Sequence, residues 1–327
     1  MNNVYIVTGG NGYIGSHMCK LLHDQGSEVH IIDNHSTSPK TKTHDYGIFH
    51  NFDIDDKEKV KSLLSKVKPS GVFHFAARAL VSESQLNPFL YYLENTHKTT
   101  SLLQSCVESN VKNFIFSSTC ATFGISNDNA IDENHPQVPI NTYGLTKMMI
   151  ENILKDLCSK KMINAVVFRY FNASGCSPDG DLGENHEPET HLIPNICKSI
   201  INNKFEGFTL YGNDYDTPDG SCIRDYIHVM DLAKAHLSGL NFLRANSGYY
   251  DFNLSSEKGH SVLEVIKTFE EITSKKVNII LKKRRPGDPP ILIGSSLKAK
   301  QLLDFKCEYN LKDSIQHTYN YFTGQKP

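Results

Sequence analysis

The chain has 327 residues, of which 39% are hydrophobic, with a formal net charge of −2 and eight cysteines; this suggests one large domain or two modest ones around a substantial core. The near-neutral charge points away from nucleic acid and acidic membrane surfaces as partners, and no apolar run approaches the ~20 residues of a membrane helix. The first apolar run is too short for a signal peptide, and the cysteines stand singly without C-x-x-C spacing, so a cytoplasmic protein with free thiols is expected, with no disulfide framework and no metal site.

Val4 to Gly15, V-Y-I-V-T-G-G-N-G-Y-I-G, organises the chain. Val4, Ile6 and Val7 form an uncharged run of the kind a strand buried on both faces requires. A helical pattern begins at Tyr13 (Ile14, Met18, Leu21, Leu22). Between them Gly9, Gly12 and Gly15 form a G-x-x-G-x-x-G loop, suited to a tight turn, a close approach to a pyrophosphate, and close packing of helix on strand. The helix N-terminus offers free N–H groups and a positive dipole end to phosphates. A second apolar strand (Val29, Ile31, Ile32) ends in Asp33. A carboxylate there accepts hydrogen bonds from the adenosine ribose and repels a 2′-phosphate, which favours NAD over NADP.

A polar loop, Asn34 to Lys42, follows, then a short strand end at His50 and an Asp-rich helix start. Asp53 and Ile54 fall where a third-strand loop meets an adenine ring. Gly71 to Ala77 reads as a buried strand whose small C-terminal residues let a dinucleotide lie close, and Phe89 to Ser109 as one long helix. The strand Val111–Phe116 runs into Ser117-Ser118-Thr119; hydroxyls at the carboxyl end of a parallel strand are candidate site residues.

Tyr143 and Lys147 stand i and i+4 at the start of a helix and so share a face. A tyrosine hydroxyl has a reference pKa of ~10; a nearby ammonium and a positively charged nicotinamide both favour the phenolate. The pair suits removal of a proton from an alcohol as a hydride leaves its carbon. The strand Val166–Asn172 is followed by a polar loop to His191, too long for a plain connection and expected to cover a ligand. Beyond it, denser Pro and Gly punctuation marks a second lobe. It is interrupted by Ile227–Leu243, a strand–helix stretch expected to return to the first lobe. Arg224 and Arg285 flank the loops of the second lobe, with guanidinium groups suited to a pyrophosphate.

Taken together, T-G-G-N-G-Y-I-G-S-H, H-F-A-A, F-S-S-T-C-A-T-F-G, Y-G-L-T-K, R-Y-F-N-A-S-G, H-L-I-P, Y-G-N-D-Y-D-T-x-D-G, R-D-Y-I-H-V-M-D-L-A and R-R-P-G-D span the chain in order. They resemble the UDP-glucose 4-epimerases of the extended short-chain dehydrogenase/reductase superfamily. The resemblance implies an α/β, Rossmann-type doubly wound parallel sheet (1–174, with a return segment about 226–245) and a smaller mixed α/β lobe for a UDP-sugar (175–225 and 246–327). It also implies NAD as cofactor and a homodimer paired through the helices after Phe89 and Thr142. Tyr143 is then the base, Lys147 its partner, and Thr119 the hydroxyl at O4. Gly9, Gly12, Tyr13, Ile14, Asp33, Asn34, Asp53, Ile54, Phe75, Ala76, Ala77, Asn95, Thr119, Tyr143, Lys147 and Tyr170 match cofactor positions. Asn172, His191, Leu192, Thr209, Tyr211, Arg224, Arg285 and Asp288 match the UDP pocket, with Thr119 and Tyr143 also facing the sugar.

The sequence departs from the pattern at three places. Ala79, beside Arg78, stands where many members carry a cofactor lysine. Phe123 replaces a common tyrosine. Leu292 stands where bulk limits the group on sugar carbon 2; it is smaller than tyrosine and larger than cysteine or serine, which makes an N-acetylated sugar marginal. Cys120-Ala121 after Thr119 argues against a 4,6-dehydratase, which usually has an Asp-Glu there. A UDP-pentose or UDP-N-acetylhexosamine 4-epimerase, and a non-catalytic NAD(H)-sensing protein, are the alternatives.

Overall fold

The computed structural model describes residues 3–41, 43–125, 130–184, 186, 189–201, 206–285 and 288–325. Lys42 of the first polar loop, and Pro286 and Gly287 of the R-R-P-G-D stretch, lie outside them. The elements are, in order, β1 (Val4–Thr8), α1 (Tyr13–Asp24), β2 (Glu28–Ile32), β3 (Ile48–His50), α2 (Lys57–Val67), β4 (Gly71–His74), α3 (Val81–Leu86) and α4 (Pro88–Tyr91). A π-helical turn (Tyr92–His97) leads into α5 (Lys98–Glu108), then β5 (Asn113–Ser117), α6 (Thr142–Ser159), β6 (Asn164–Tyr170), β7 (Asn172–Ser174), α7 (Leu192–Ile201) and β8 (Phe208–Tyr211). The chain ends with β9 (Ile223–His228), α8 (Val229–Ala245), β10 (Tyr249–Leu254), β11 (Gly259–Ser261), α9 (Val262–Thr273), β12 (Ile279–Lys282), β13 (Ile291–Leu292), α10 (Leu297–Leu303) and α11 (Leu311–Thr323).

Seven strands form one parallel sheet in the order β10-β6-β5-β4-β1-β2-β3. Side chains alternate faces along a strand, and here both faces are covered. Tyr5 and Val7 of β1 point into one buried cluster with Met18, Leu22, Phe168, Leu240 and Phe252, under α1 and α8. Ile6 between them joins the opposite cluster with Val60, Leu64, Leu102, Phe116, Ile150 and Leu154, under α2, α5 and α6. This is why the strands read as unbroken apolar runs.

The return from the second lobe differs from its expected bounds. β9 pairs with β7, β11 and β13 in a separate sheet, so only α8 of the stretch 226–245 packs on the first layer. The contribution then continues past 245, because β10 pairs with β6 from Tyr249 to Leu254. The single helix expected over 89–109 is helical throughout but carries a π turn in its middle. The second lobe has its own core, in which Ile196, Phe208, Leu210, Val265, Phe269 and Ile315 pack between α7, α9 and α11.

Candidate active site

The strand order reverses between β1 and β4, and ligands of open parallel sheets sit outside the carboxyl ends at such a switch point. A cleft of about 640 Å³ opens there, floored by the first lobe and walled by the loops of the second. Gly9 turns the chain at the end of β1 with φ +70°, and a Cβ on it would stand 2.6 Å from the Ala76 nitrogen. A Cβ on Gly15 would lie 2.2 Å from the Gly9 carbonyl, so helix and loop meet backbone to backbone. Gly12 is different: its nearest neighbour would be the Gly9 carbonyl at 3.3 Å, and it lines the cleft. This is the cradle a pyrophosphate requires, at the N-terminus of α1.

Asp33 ends β2, is buried, and accepts hydrogen bonds from the Asn11 nitrogen (3.0 Å), the His35 nitrogen (2.9 Å) and Ser38 Oγ (2.8 Å). It therefore ties the loop after β1 to the loop after β2. Asp53 is fixed by Asn34 Nδ2 and Lys98 Nζ, both at 2.6 Å. Burial would raise Asp53, but the Lys98 ammonium and the Asn34 amide hold its carboxyl below the usual range.

The N-terminus of α6 is capped by Asn141, whose Oδ1 accepts from the Gly144 nitrogen at 2.8 Å. A Cβ on Gly144 would fall 2.3 Å from the Ala121 carbonyl. This close approach sets α6 against the turn after β5 and brings Tyr143 to Thr119. The Thr119 hydroxyl also caps that turn, accepting from the Ala121 nitrogen at 3.2 Å. Burial pushes the Tyr143 phenol up to about 12, against the pull of the Thr119 hydroxyl. Lys147 Nζ donates to the Ser117 carbonyl at 2.8 Å, and burial brings it down to about 7, against the neighbouring Glu151 carboxylate. Among the protein's own groups, burial thus dominates both side chains and keeps the phenol neutral.

Of the residues singled out from the sequence, Gly9, Gly12, Tyr13, Ile14, Asp33, Asn34, Asp53, Ile54, Phe75, Ala76, Ala77, Thr119, Tyr143, Lys147, Tyr170, Asn172, His191, Asp288 and Leu292 all line this one cleft. Six do not. Asn95 is buried behind the wall, bonded to the Arg78 nitrogen and carbonyl and to Thr146. Leu192 packs on the core of the second lobe. Arg285 lies over the Tyr211 ring at 4.1 Å, and Thr209 sits on β8 opposite Ile280 of β12. The Arg224 guanidinium pairs with the carboxylate of Asp288, the one of the two that reaches the cleft.

Two groups escaped the sequence reading. Arg78 stands in the wall beside Ala79, with Nη1 bonded to Glu83 and its buried Nε without a partner. The loop after β7 gathers Glu184, His186, Glu189 and His191, a pattern, E-x-H-x-x-E-x-H, that cysteine spacing could not reveal.

Comparison with known proteins agrees with this geometry. Residues 5–255 match the NAD dependent epimerase/dehydratase family. A Rhizobium meliloti protein named UDP-glucose 4-epimerase is 38% identical over 320 residues, covering 98% of this chain and 97% of its own length. The crystal structure of UDP-glucose 4-epimerase from Brucella ovis in complex with NAD superposes with a TM-score of 0.94 at 40% identity, covering 98% of both chains. The enzyme of that name from Bifidobacterium longum, in complex with NAD+ and UDP, gives 0.92 at 32% identity, again over 98% of both chains.

Proposed function

The chain belongs to the NAD dependent epimerase/dehydratase family, and from that premise we propose that it interconverts UDP-glucose and UDP-galactose, with NAD as its resident cofactor. One observation carries this reading. The glycine cradle, Asp33 and the Tyr143, Lys147 and Thr119 group converge in a single cleft. The residues fit the cofactor. Gly9 to Gly15 and the α1 N-terminus would hold its pyrophosphate, Asp33 its adenosine ribose, Asp53 and Ile54 the adenine end, and Phe75 to Ala77 with Tyr170 the remainder.

Tyr143, as phenolate, takes the proton from O4 of the sugar, directly or through Thr119, and gives it back on the return. When bound, NAD would supply the hydride acceptor and donor for C4 and a positive charge favouring the Tyr143 phenolate, which burial alone opposes. Lys147 adds its own positive charge to that side of the cleft below its pKa of about 7. Epimerisation requires the 4-keto sugar to present its other face while the nucleotide stays fixed. Asn172, His191 and Asp288, which line the cleft, would hold the nucleotide, with Arg224 acting through Asp288. Leu292 bounds the room for the group on carbon 2.

The test is UDP-galactose turnover by the purified protein with no added NAD. Formation of UDP-glucose is expected, because the cofactor is regenerated in each cycle and travels with the protein. Tyr143→Phe should lower turnover by about 100- to 10,000-fold with NAD still bound; near-normal turnover would remove Tyr143 as the base. The same reading makes the protein a cytoplasmic homodimer. Leu86 is 81% and Phe89 87% exposed beside the helices expected to pair; a monomer in sedimentation at micromolar concentration would remove the dimer. No helix among the described residues is long and apolar enough to cross a membrane.

A further inference from the structure

We propose that Glu184, His186, Glu189 and His191, in the loop between β7 and α7, bind one borderline divalent cation of the zinc class, against the expectation of no metal drawn from the cysteines. Their four ligand atoms lie within 4.8 Å of one another. His191 Nδ1 is 2.8 Å from Glu184 Oε1 and 3.2 Å from Glu189 Oε1. His186 Nδ1 is 3.4 Å and 3.8 Å from the same two oxygens. Ligands about 2.0–2.1 Å from a tetrahedral ion stand about 3.3 Å apart. The four separations bracket that value.

The alternative occupant of this space is the protein itself, with each imidazole paired to a carboxylate. That accounts for His191, which meets both carboxylates at hydrogen-bond distance. It does not account for His186, whose Nδ1 is buried and makes no hydrogen bond although two carboxylate oxygens face it. A cation at the centre shared with Glu184, Glu189 and His191 would take that nitrogen as a ligand. The carboxylates are nearly enclosed, with the Glu184 and Glu189 side chains 3% and 4% exposed, and buried carboxylates need pairing or a metal. Glu189 Oε1 also receives the Thr190 and His191 nitrogens, and Oε2 the His186 nitrogen and Lys198 Nζ, which orient it.

The donor set selects the ion. Two imidazoles disfavour calcium and magnesium, which take oxygen ligands. The absence of thiolate disfavours the softest ions, and two nitrogens with two carboxylates suit zinc or cobalt(II). Two carboxylates neutralise a divalent charge. Glu184, His186 and His191 also line the cleft. The ion would thus fix part of the cleft wall in place, His191 included, and carry out no chemistry, so its binding does not depend on the epimerase reading being right.

The cofactor-containing protein should be stripped with a chelator, exchanged into metal-free buffer and titrated with Zn²⁺ and with Co²⁺. Expected are one equivalent of zinc per chain by elemental analysis after gel filtration, and a visible Co²⁺ ligand-field band. His186→Ala and Glu189→Gln should each weaken binding by more than about tenfold. His260→Ala, which alters a histidine–glutamate pair elsewhere (His260 to Glu264, 2.7 Å), should not. Metal-free melting temperatures identify any variant that fails to fold, and either ligand variant suffices. Substoichiometric zinc in the unaltered protein, or equal binding by the ligand variants and His260→Ala, would overturn the site.

Discussion

The helix that carries Tyr143 and Lys147 also carries Glu151 on the same face, one turn further on, and exchanging Glu151 for glutamine tests how that helix is held. Glu151 is fully buried and accepts from Ser118 Oγ (2.5 Å), Arg169 Nε (3.0 Å), Arg169 Nη2 (2.6 Å) and Gln137 Nε2 (2.9 Å). Arg169 is 1% exposed; its other partner is Asp251, at 2.9 Å from Nη2. Glu151→Gln removes the buried charge and leaves an amide donor among Arg169 and Gln137 groups that can only donate, with the Ser118 hydroxyl the one neighbour able to accept it. Removing one partner of a buried pair costs about 3–5 kcal/mol. With Asp251 still in place, about 3 kcal/mol is expected, a large part of the ~5–15 kcal/mol that stabilises a typical fold. Urea denaturation of Glu151→Gln, Arg169→Met and the double variant measures it. If the two act as one unit, the double variant loses about as much as either single one. A second readout is chemical. Glu151 favours the charged form of Lys147, so its loss should lower the Lys147 pKa further and move the alkaline limb of the turnover profile to lower pH. Additive losses, or a loss under about 1 kcal/mol with an unmoved profile, would refute the argument.

Other expectations follow from the cleft. Gly12 has ordinary extended backbone (φ −82°, ψ 175°), and a methyl on it would need the Gly9 carbonyl at 3.3 Å to give only slightly, so Gly12→Ala should fold yet be purified without NAD, whereas Gly15→Ala, driven into the Gly9 carbonyl at 2.2 Å, should unfold at clearly lower urea; full cofactor content in Gly12→Ala would contradict the cradle. The cofactor-free protein should show no phenolate from Tyr143 at pH 8, because the folded pKa is raised by burial to about 12 and the neutral form persists until pH approaches that value. The 295 nm difference between the wild type and Tyr143→Phe should therefore appear at that pH only when NAD is bound, and a difference in the cofactor-free protein would show that burial does not control the phenol. Leu292→Ser should raise the ratio of UDP-N-acetylgalactosamine to UDP-galactose turnover and Leu292→Tyr should lower it; an unchanged ratio would mean that Leu292 does not face carbon 2.

The floor of this cleft was readable from the sequence and its far wall much less so, and the difference has a physical cause. The Gly9 to Gly15 loop, the Asp33 strand end and the Tyr143/Lys147 helix face are set by residues a few positions apart, where periodicity and backbone freedom act directly. The second lobe is set by partners far along the chain. Arg224 reads as a free cation for a diphosphate until Asp288, 64 residues on, pairs with it. Asn95 reads as a cofactor contact, and only the fold shows that its amide is also bonded to the Arg78 backbone. β10 is masked as a buried strand by Asp251 and Asn253; Asp251 accepts from Arg169 and Lys298, and Asn253 Nδ2 donates to the Ile131 carbonyl. In each case a polar residue that looks available is already partnered by the topology. His186 is the converse, a polar atom that the topology surrounds with partners and leaves unbonded. That contrast is visible only after folding, which is why the cation site stands on the structure and not on the motif.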